Sequence, residues 1–280
     1  MSGRLPRQRV DGRLARRAAA TPDRAGERVA SAALRSAAVS SNRSADAEVA
    51  ALVRRRIGST SSAVAVVVGI AGGVAVGKTT TARSLRDVLV GTPAALRVDV
   101  VGADGFLFPN RVLEAQGLIM RKGFPETYDT AALERFVADV RAGRAEVAAP
   151  VYSHDVYDVL PGEQQLVQRP DVLILEGLHV LALDGLDVRV FVDADERDIE
   201  AWYVERFLAL CAAATTGPRS FFRHFAHLSP EEVEQVARQV WRSVNAVNLR
   251  EHVLPARDRA DVVIEKARDH SVRAVRTITR

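Results

Sequence analysis

Cysteine is all but missing from this 280-residue chain, in which Cys211 is the only one. A single cysteine excludes an intrachain disulfide and a cysteine-based zinc site, and it fits a reducing, cytoplasmic setting. Long apolar runs are missing as well. The densest, Ala63 to Ala71, is too short to cross a bilayer, and the uncharged stretch around it, Ile57 to Gly77, is rich in Ser and Gly. It also lies beyond the reach of a signal peptide, so no membrane association is expected. Aromatic residues make up only 5% of the chain, and residues 1 to 45 contain none. Lysine is missing from residues 1 to 60, which hold 13 Arg and 5 acidic residues, a formal +8 that leaves the remainder at −4. The net charge of +4 is therefore a property of the leader. With no ring to stack on bases, that leader reads as a solvated tail, and no nucleic-acid partner is expected. Its Ala, Arg and Ser composition lacks a sustained apolar period, which predicts a leader over residues 1–55 that is disordered or only transiently helical, and one folded domain over 56–280.

What the body does contain is an alternation of strands and helices. The runs "AVAVVVGI" (63–70), "LRVDVV" (96–101), "DVLILEG" (171–177), "VRVFVDA" (188–194) and "DVVIEKA" (261–267) are β-branched and mostly apolar enough to be buried on both faces. Between them, "DTAALERFVADVRAG" puts Leu133, Phe136, Val137 and Val140 on one helical face behind an Asp129 or Thr130 cap. "SPEEVEQVARQVW" opens with Ser229 as N-cap, Pro230 at the first helical position and Glu232 completing a capping box. The alternation predicts an α/β fold, a parallel sheet flanked by helices, with ligands at the carboxyl ends of the strands.

The stretch "VVVGIAGGVAVGKTTTARSL" carries four glycines and one lysine between a strand and a helix. Gly72-x-x-x-x-Gly77-Lys78-Thr79 is the phosphate-binding loop of P-loop NTPases, in the context that loop requires. Main-chain N–H groups of Gly72, Gly73, Val74, Ala75, Val76 and Gly77, with the helix start at Lys78, Thr79 and Thr80, would cradle the phosphates of ATP. Lys78 would reach the outer phosphates, and the Thr79 hydroxyl would help to hold Mg2+. Asp104 follows the second strand, where its carboxylate would take the proton of an attacking hydroxyl, organise metal-bound water, or only begin a turn before Gly105. Glu176 closes "DVLILEG" and reads either as a metal-side carboxylate or as a buried, paired acid. Arg206, on "DIEAWYVERFLAL", reads either as a solvated ion-pair partner or as a cation for the transferring phosphate.

With these positions in place, the chain resembles the bacterial type I pantothenate kinases. The stretches that carry the resemblance are "GIAGGVAVGKTTTAR", "ADGFLFPN", "KGFPETYD", "APVYSHDVYDV", "PDVLILEGLHVL", "VDA", "WYVERFL", "VNLREHVLPARDRAD" and "DHSV", in the family's order over most of residues 64–280. The resemblance implies a P-loop kinase that transfers the γ-phosphoryl group of ATP to pantothenate, the first step of coenzyme A biosynthesis. It implies catalytic roles for Asp104, Lys78 and Arg206, metal contacts for Thr79 and Glu176, and an acceptor pocket of Asp104, Tyr152, His154, Tyr203 and Asn248. It further implies that Lys266 and His270 lie beside the adenine, one helical turn apart if their segment is helical. Arg83 matches a position linked to feedback by coenzyme A, and the family's usual state is a homodimer.

The match has gaps. Residues 1 to about 55 do not resemble the family's N-terminal segment, which contributes to the nucleotide surroundings. The link Ala182 to Asp187 is shorter than usual, His179 replaces an asparagine, and the small residues after Cys211 replace a more polar and aromatic pattern; the shortened link threatens a sheet neighbour or a wall of the site. Two other readings stay open: a P-loop kinase for another hydroxylated metabolite, such as a nucleoside or sugar phosphate, and a nucleotide-binding paralogue without turnover.

Overall fold

The computed structural model describes residues 24–59, 64–91, 95–214 and 220–278, with side chains from residue 41 onward. The chain divides into Met1–Ser36 and a compact unit, Ala37–Arg280, and it is the second that carries the site.

Strand β1 (Val66–Gly72) is buried at every position, as expected of an apolar strand in the middle of a sheet covered on both faces. Strands β2 (Val98–Gly102), β5 (Val172–Glu176), β6 (Val188–Ala194) and β7 (Val262–Lys266) flank it, while β3 (Val147–Ser153) and β4 (Asp158–Val167) pair apart from them. The sheet order is β2-β5-β1-β6-β7-β8; the first five strands run parallel, and β8 (Val272–Thr277) pairs antiparallel to β7. Helix α2 (Lys78–Val90) leaves the phosphate loop, and α4 (Thr130–Arg141) buries the four apolar residues read from its period. Asp129 caps α4 by accepting from Ala132 N at 2.9 Å. The long α5 (Glu196–Ala213) packs against α6 (Pro230–Val240), whose Ser229/Glu232 capping box is formed as expected. Among the described residues no helix is long and apolar enough to cross a membrane.

Three features differ from the sequence reading. The leader boundary at residue 55 falls inside helix α1 (Arg24–Ser59). Residues 1–23 lie outside the described residues, but from residue 41 the helix belongs to the domain. Ala45, Val49, Ala50 and Val53 form a buried stripe, and buried Asp46 accepts a hydrogen bond from Ser84 of α2. A stripe of two alanines and two valines inside an Ala-rich segment gives little periodic signal, which is why composition hid it.

The second difference is at "EKARDHSV", which is not helical. It forms the tight turn between β7 and β8, with His270 in the left-handed region at φ 64°. The half-exposed, Arg-bearing β8 lacks the apolar run that marked the other strands. The third is a separate hairpin, β3 (Val147–Ser153) and β4 (Asp158–Val167), whose alternation is interrupted by Pro150 and Pro161.

The short 182–187 link leaves the sheet neighbours intact. Leu183 and Leu186 are buried, and the Asp187 carboxylate accepts from Val67 N (2.8 Å) and from Arg141 (2.6 Å), tying the link to β1 and α4.

Candidate active site

The phosphate loop begins where β1 runs out of room for side chains. A Cβ on Gly72 would lie 2.3 Å from the Val192 carbonyl oxygen, and φ at this residue is 150°. Ala75 (φ 61°) and Gly77 (φ 93°) take left-handed conformations that turn the chain back toward α2. Val74 and Ala75 are half-buried in the loop, Val76 is buried beneath it, and Thr80 is exposed on the first turn of α2. Lys78 Nζ curls over the loop and donates to Gly73 O at 2.8 Å. Burial pulls its ammonium below the ordinary lysine value, and the carboxylates of Glu176 and Asp104 partly offset this. Thr79 Oγ1 donates to Glu176 Oε1 at 2.7 Å. Burial also raises the Glu176 carboxyl above its usual range, with Lys78 pulling the other way.

Parallel register brings the second carboxylate to the same edge. Gly102 at the end of β2 pairs with Glu176 at the end of β5, and Asp104 stands two residues beyond. The turn after Asp104 is not a free loop: a Cβ on Gly105 would fall 2.0 Å from the Pro150 carbonyl oxygen, so glycine is what lets β3 approach. Asp104 faces Lys78, Glu176 and Lys122 electrostatically, and its Oδ1 accepts from the Tyr128 hydroxyl at 3.0 Å.

Of the predicted acceptor residues, Tyr152 and His154 lie within electrostatic reach of Asp104. Tyr152 and His154 stand edge to face at 5.2 Å on the β3–β4 hairpin, with His154 exposed at the rim. Tyr203 is half-buried on α5 against Trp241 and Phe207. Arg206, one turn further along α5, is exposed, has Trp202 and Leu210 at i±4, and among the described residues forms no salt bridge; the solvated ion-pair reading thereby loses its partner. Its charge is felt instead by Lys78, Glu176 and His154. Asn248 sits where α6 runs on through two π-helical turns, Trp241–Asn245 and Leu249–Val253. Such turns often mark functional positions. Asn248 is 5% exposed, donates to Gly123 O at 2.8 Å, and among the described residues leaves a buried Oδ1 with no protein partner.

On the far side of the loop, the Lys266 side chain ends 3.0 Å from where a Cβ on Gly77 would be. Lys266 is buried, its pKa is lowered by that burial, and Asp46 of α1 faces it with a compensating charge. His270 stacks on Trp202 with ring centroids 4.2 Å apart. Lys266 and His270 are thus brought together by a hairpin turn, not by a helix. Arg83 is exposed on α2.

Several site residues went unread in the sequence. Lys122 is 8% exposed and donates to Asn110 Oδ1 (2.5 Å) and Tyr157 O (2.6 Å). It lies over the rings of Tyr152 (4.9 Å) and Tyr157 (4.5 Å), and burial lowers its pKa to about 8. Tyr157 stacks on Phe221 at 4.8 Å, which extends the aromatic wall through Phe222 and Phe225. Residues 215–219 of the altered segment lie outside the described residues, but Cys211 is a buried packing residue among Phe207, Phe222 and Val233. A signal for Lys122 was present. Of 39 basic residues only three are lysine, Lys78, Lys122 and Lys266, and all three lie here, each with its pKa lowered by burial.

A phosphate loop, a hydroxyl–carboxylate pair and a second carboxylate at one sheet edge define a P-loop phosphotransferase. Residues 67–206 match the model of the Phosphoribulokinase / Uridine kinase family, and the chain belongs to that family. It is 49% identical over 234 residues to the pantothenate kinase of Myxococcus xanthus, a match covering 79% of this chain and 74% of the relative. It is 51% identical over 220 residues to the pantothenate kinase of Streptomyces coelicolor, covering 74% of this chain and 67% of the relative. The D-glycerate 3-kinase structure from Cryptococcus neoformans shares the fold, with a TM-score of 0.56 at 15% identity over 83% of this chain and 99% of that one.

Proposed function

We propose that this chain transfers the γ-phosphoryl group of ATP to the primary hydroxyl of pantothenate, giving 4'-phosphopantothenate and ADP. The observation that carries the reading is the convergence of Lys78, Asp104, Glu176 and Arg206 beside an aromatic wall, in a chain about half identical to pantothenate kinases. Asp104 takes the proton of the hydroxyl as its oxygen bonds to the γ-phosphorus, while the bond from that phosphorus to the bridging oxygen breaks and ADP leaves. Lys78 and Arg206 neutralise charge on the transferring group. Thr79 and Glu176 present hard oxygen donors 2.7 Å apart, a pair suited to Mg2+ and its waters. Bound there with the nucleotide, the ion would neutralise phosphate charge.

For the acceptor, Tyr152, Tyr203 and the phenylalanines offer apolar walls for a gem-dimethyl group. His154 and the Asn248 Oδ1, which has no partner among the described residues, offer polar contacts, and Lys122 supplies a cation for an anionic substrate. Lys266 and His270 would flank the adenine. The reading extends to a cytoplasmic homodimer with coenzyme A feedback through exposed Arg83; Arg83→Ala should weaken competition of coenzyme A with ATP, and light scattering reads the assembly.

The test is ADP release from Mg-ATP with pantothenate, uridine or no acceptor. Pantothenate-dependent release supports the reading. Release that depends on uridine, or tight ATP binding with no turnover, would replace it.

A further inference from the structure

Asp104 must present one oxygen to a substrate hydroxyl, yet it sits on a short turn beyond the end of a strand. What fixes it there is visible in the hydrogen bonds. Among the described residues the Tyr128 hydroxyl is the only hydrogen-bond donor to the Asp104 carboxylate, and it uses Oδ1 alone. Tyr128 is itself buried, and burial together with the Asp104 charge pushes its phenol well above the ordinary value, so it stays a donor at every working pH.

The ring cannot swing away. Its backbone is bridged to Leu107, with Phe108 N donating to Thr127 O (2.9 Å) and Asp129 N to Phe106 O (2.8 Å). The Thr127 hydroxyl closes the turn, donating to Phe124 O at 2.7 Å and accepting from Gly123 N at 3.1 Å. Gly123 O is held twice at 2.8 Å, by Asn248 Nδ2 and by the His179 ring, and His179 also packs edge-on against Tyr128 at 5.6 Å. The segment after Asp104 and the segment carrying Tyr128 are therefore zipped together.

We propose that Tyr128 is a positioning residue: by holding Oδ1 it leaves Oδ2 to receive the acceptor's proton, with His179 and Asn248 bracing the turn behind it. The proposal rests on the reading of Asp104 as the base. A carboxylate without this donor would rotate, and a small misplacement at a reacting group is costly in rate.

Tyr128→Phe removes one oxygen and keeps the ring and its contact with His179. The expected result is a 10- to 100-fold fall in kcat, with the KM for ATP and the melting temperature little changed, and no further loss when it is combined with Asp104→Asn. In the parent protein the Tyr128 hydroxyl proton should give a slowly exchanging downfield NMR signal that moves upfield in Asp104→Asn, a readout independent of how the Tyr128 variant folds. An unchanged kcat in Tyr128→Phe, or a further loss added to Asp104→Asn, would overturn the positioning role while leaving the base in place. Full turnover in Asp104→Asn would instead remove the base reading on which the proposal stands.

Discussion

The phosphate loop and the proposed acceptor wall meet at Asp104 but are built from different materials. The loop is main chain, a run of residues from 72 to 79 whose amides and left-handed turns are set by local sequence. The wall is side chain, drawn from the turn at 122–128, the β3–β4 hairpin, α5 and the π-helical turns after α6. A site made of backbone is written in one contiguous motif. A site made of side chains is assembled only when distant segments pack, so its members look like ordinary tyrosines and lysines until the fold is known.

Each half can be perturbed separately. The largest effect expected is on the loop's outer support. Removing residues 1–55 takes the α1 stripe out of the core and Asp46 away from Ser84 of α2, and the burial of Val49 and Val53 alone is worth roughly 3–6 kcal/mol. Thermal unfolding should show a clear loss and the KM for ATP should rise. Next is Arg206→Ala, on the wall's helix α5, whose charge also reaches Lys78 and Glu176. Steady-state kinetics should show kcat falling about 100- to 1,000-fold with ATP affinity kept; a matching loss of ATP affinity would erase the distinction between the halves.

Gly105→Ala tests the joint between them. Its Cβ would collide with Pro150 O at 2.0 Å, and overpacking of this kind costs about 1–3 kcal/mol, to be read by urea unfolding.

The smallest effect concerns Lys122, whose pKa falls from the ordinary 10.5 to about 8 in the folded protein. Between those values the unfolded chain binds the extra proton, so stability rises with pH through the window. The burial cost is fully present below pH 8 and relieved toward 10.5. By pH 9.5 the gain over pH 7 should reach roughly 1–2 kcal/mol relative to Lys122→Met, which lacks the titrating group.

The same contrast explains what could be read in advance. All five runs of β-branched residues became strands of the parallel sheet, because a strand buried on both faces leaves an unbroken apolar signature. β8 and the β3–β4 hairpin escaped, since half-exposed strands interrupted by Arg or Pro leave none. Helix α1 escaped because its contacts are made by Ala and Val amid an Ala-rich stretch, and its one telling residue, buried Asp46, is meaningful only opposite Ser84 and Lys266. The loop residues and the strand-end carboxylates are read from spacing and position. Lys122 and Tyr128 lay inside a quoted motif without a role, because their meaning depends on what stands across the cleft.

Asp104, as proposed, acts on the acceptor and not on the nucleotide. Measuring nucleotide affinity and pantothenate-dependent ADP release on Asp104→Asn tests it directly. Turnover should fall about 1,000-fold or more while ATP binds within about twofold of the parent protein. Undiminished turnover, or an ATP affinity that collapses in step with the rate, would contradict it.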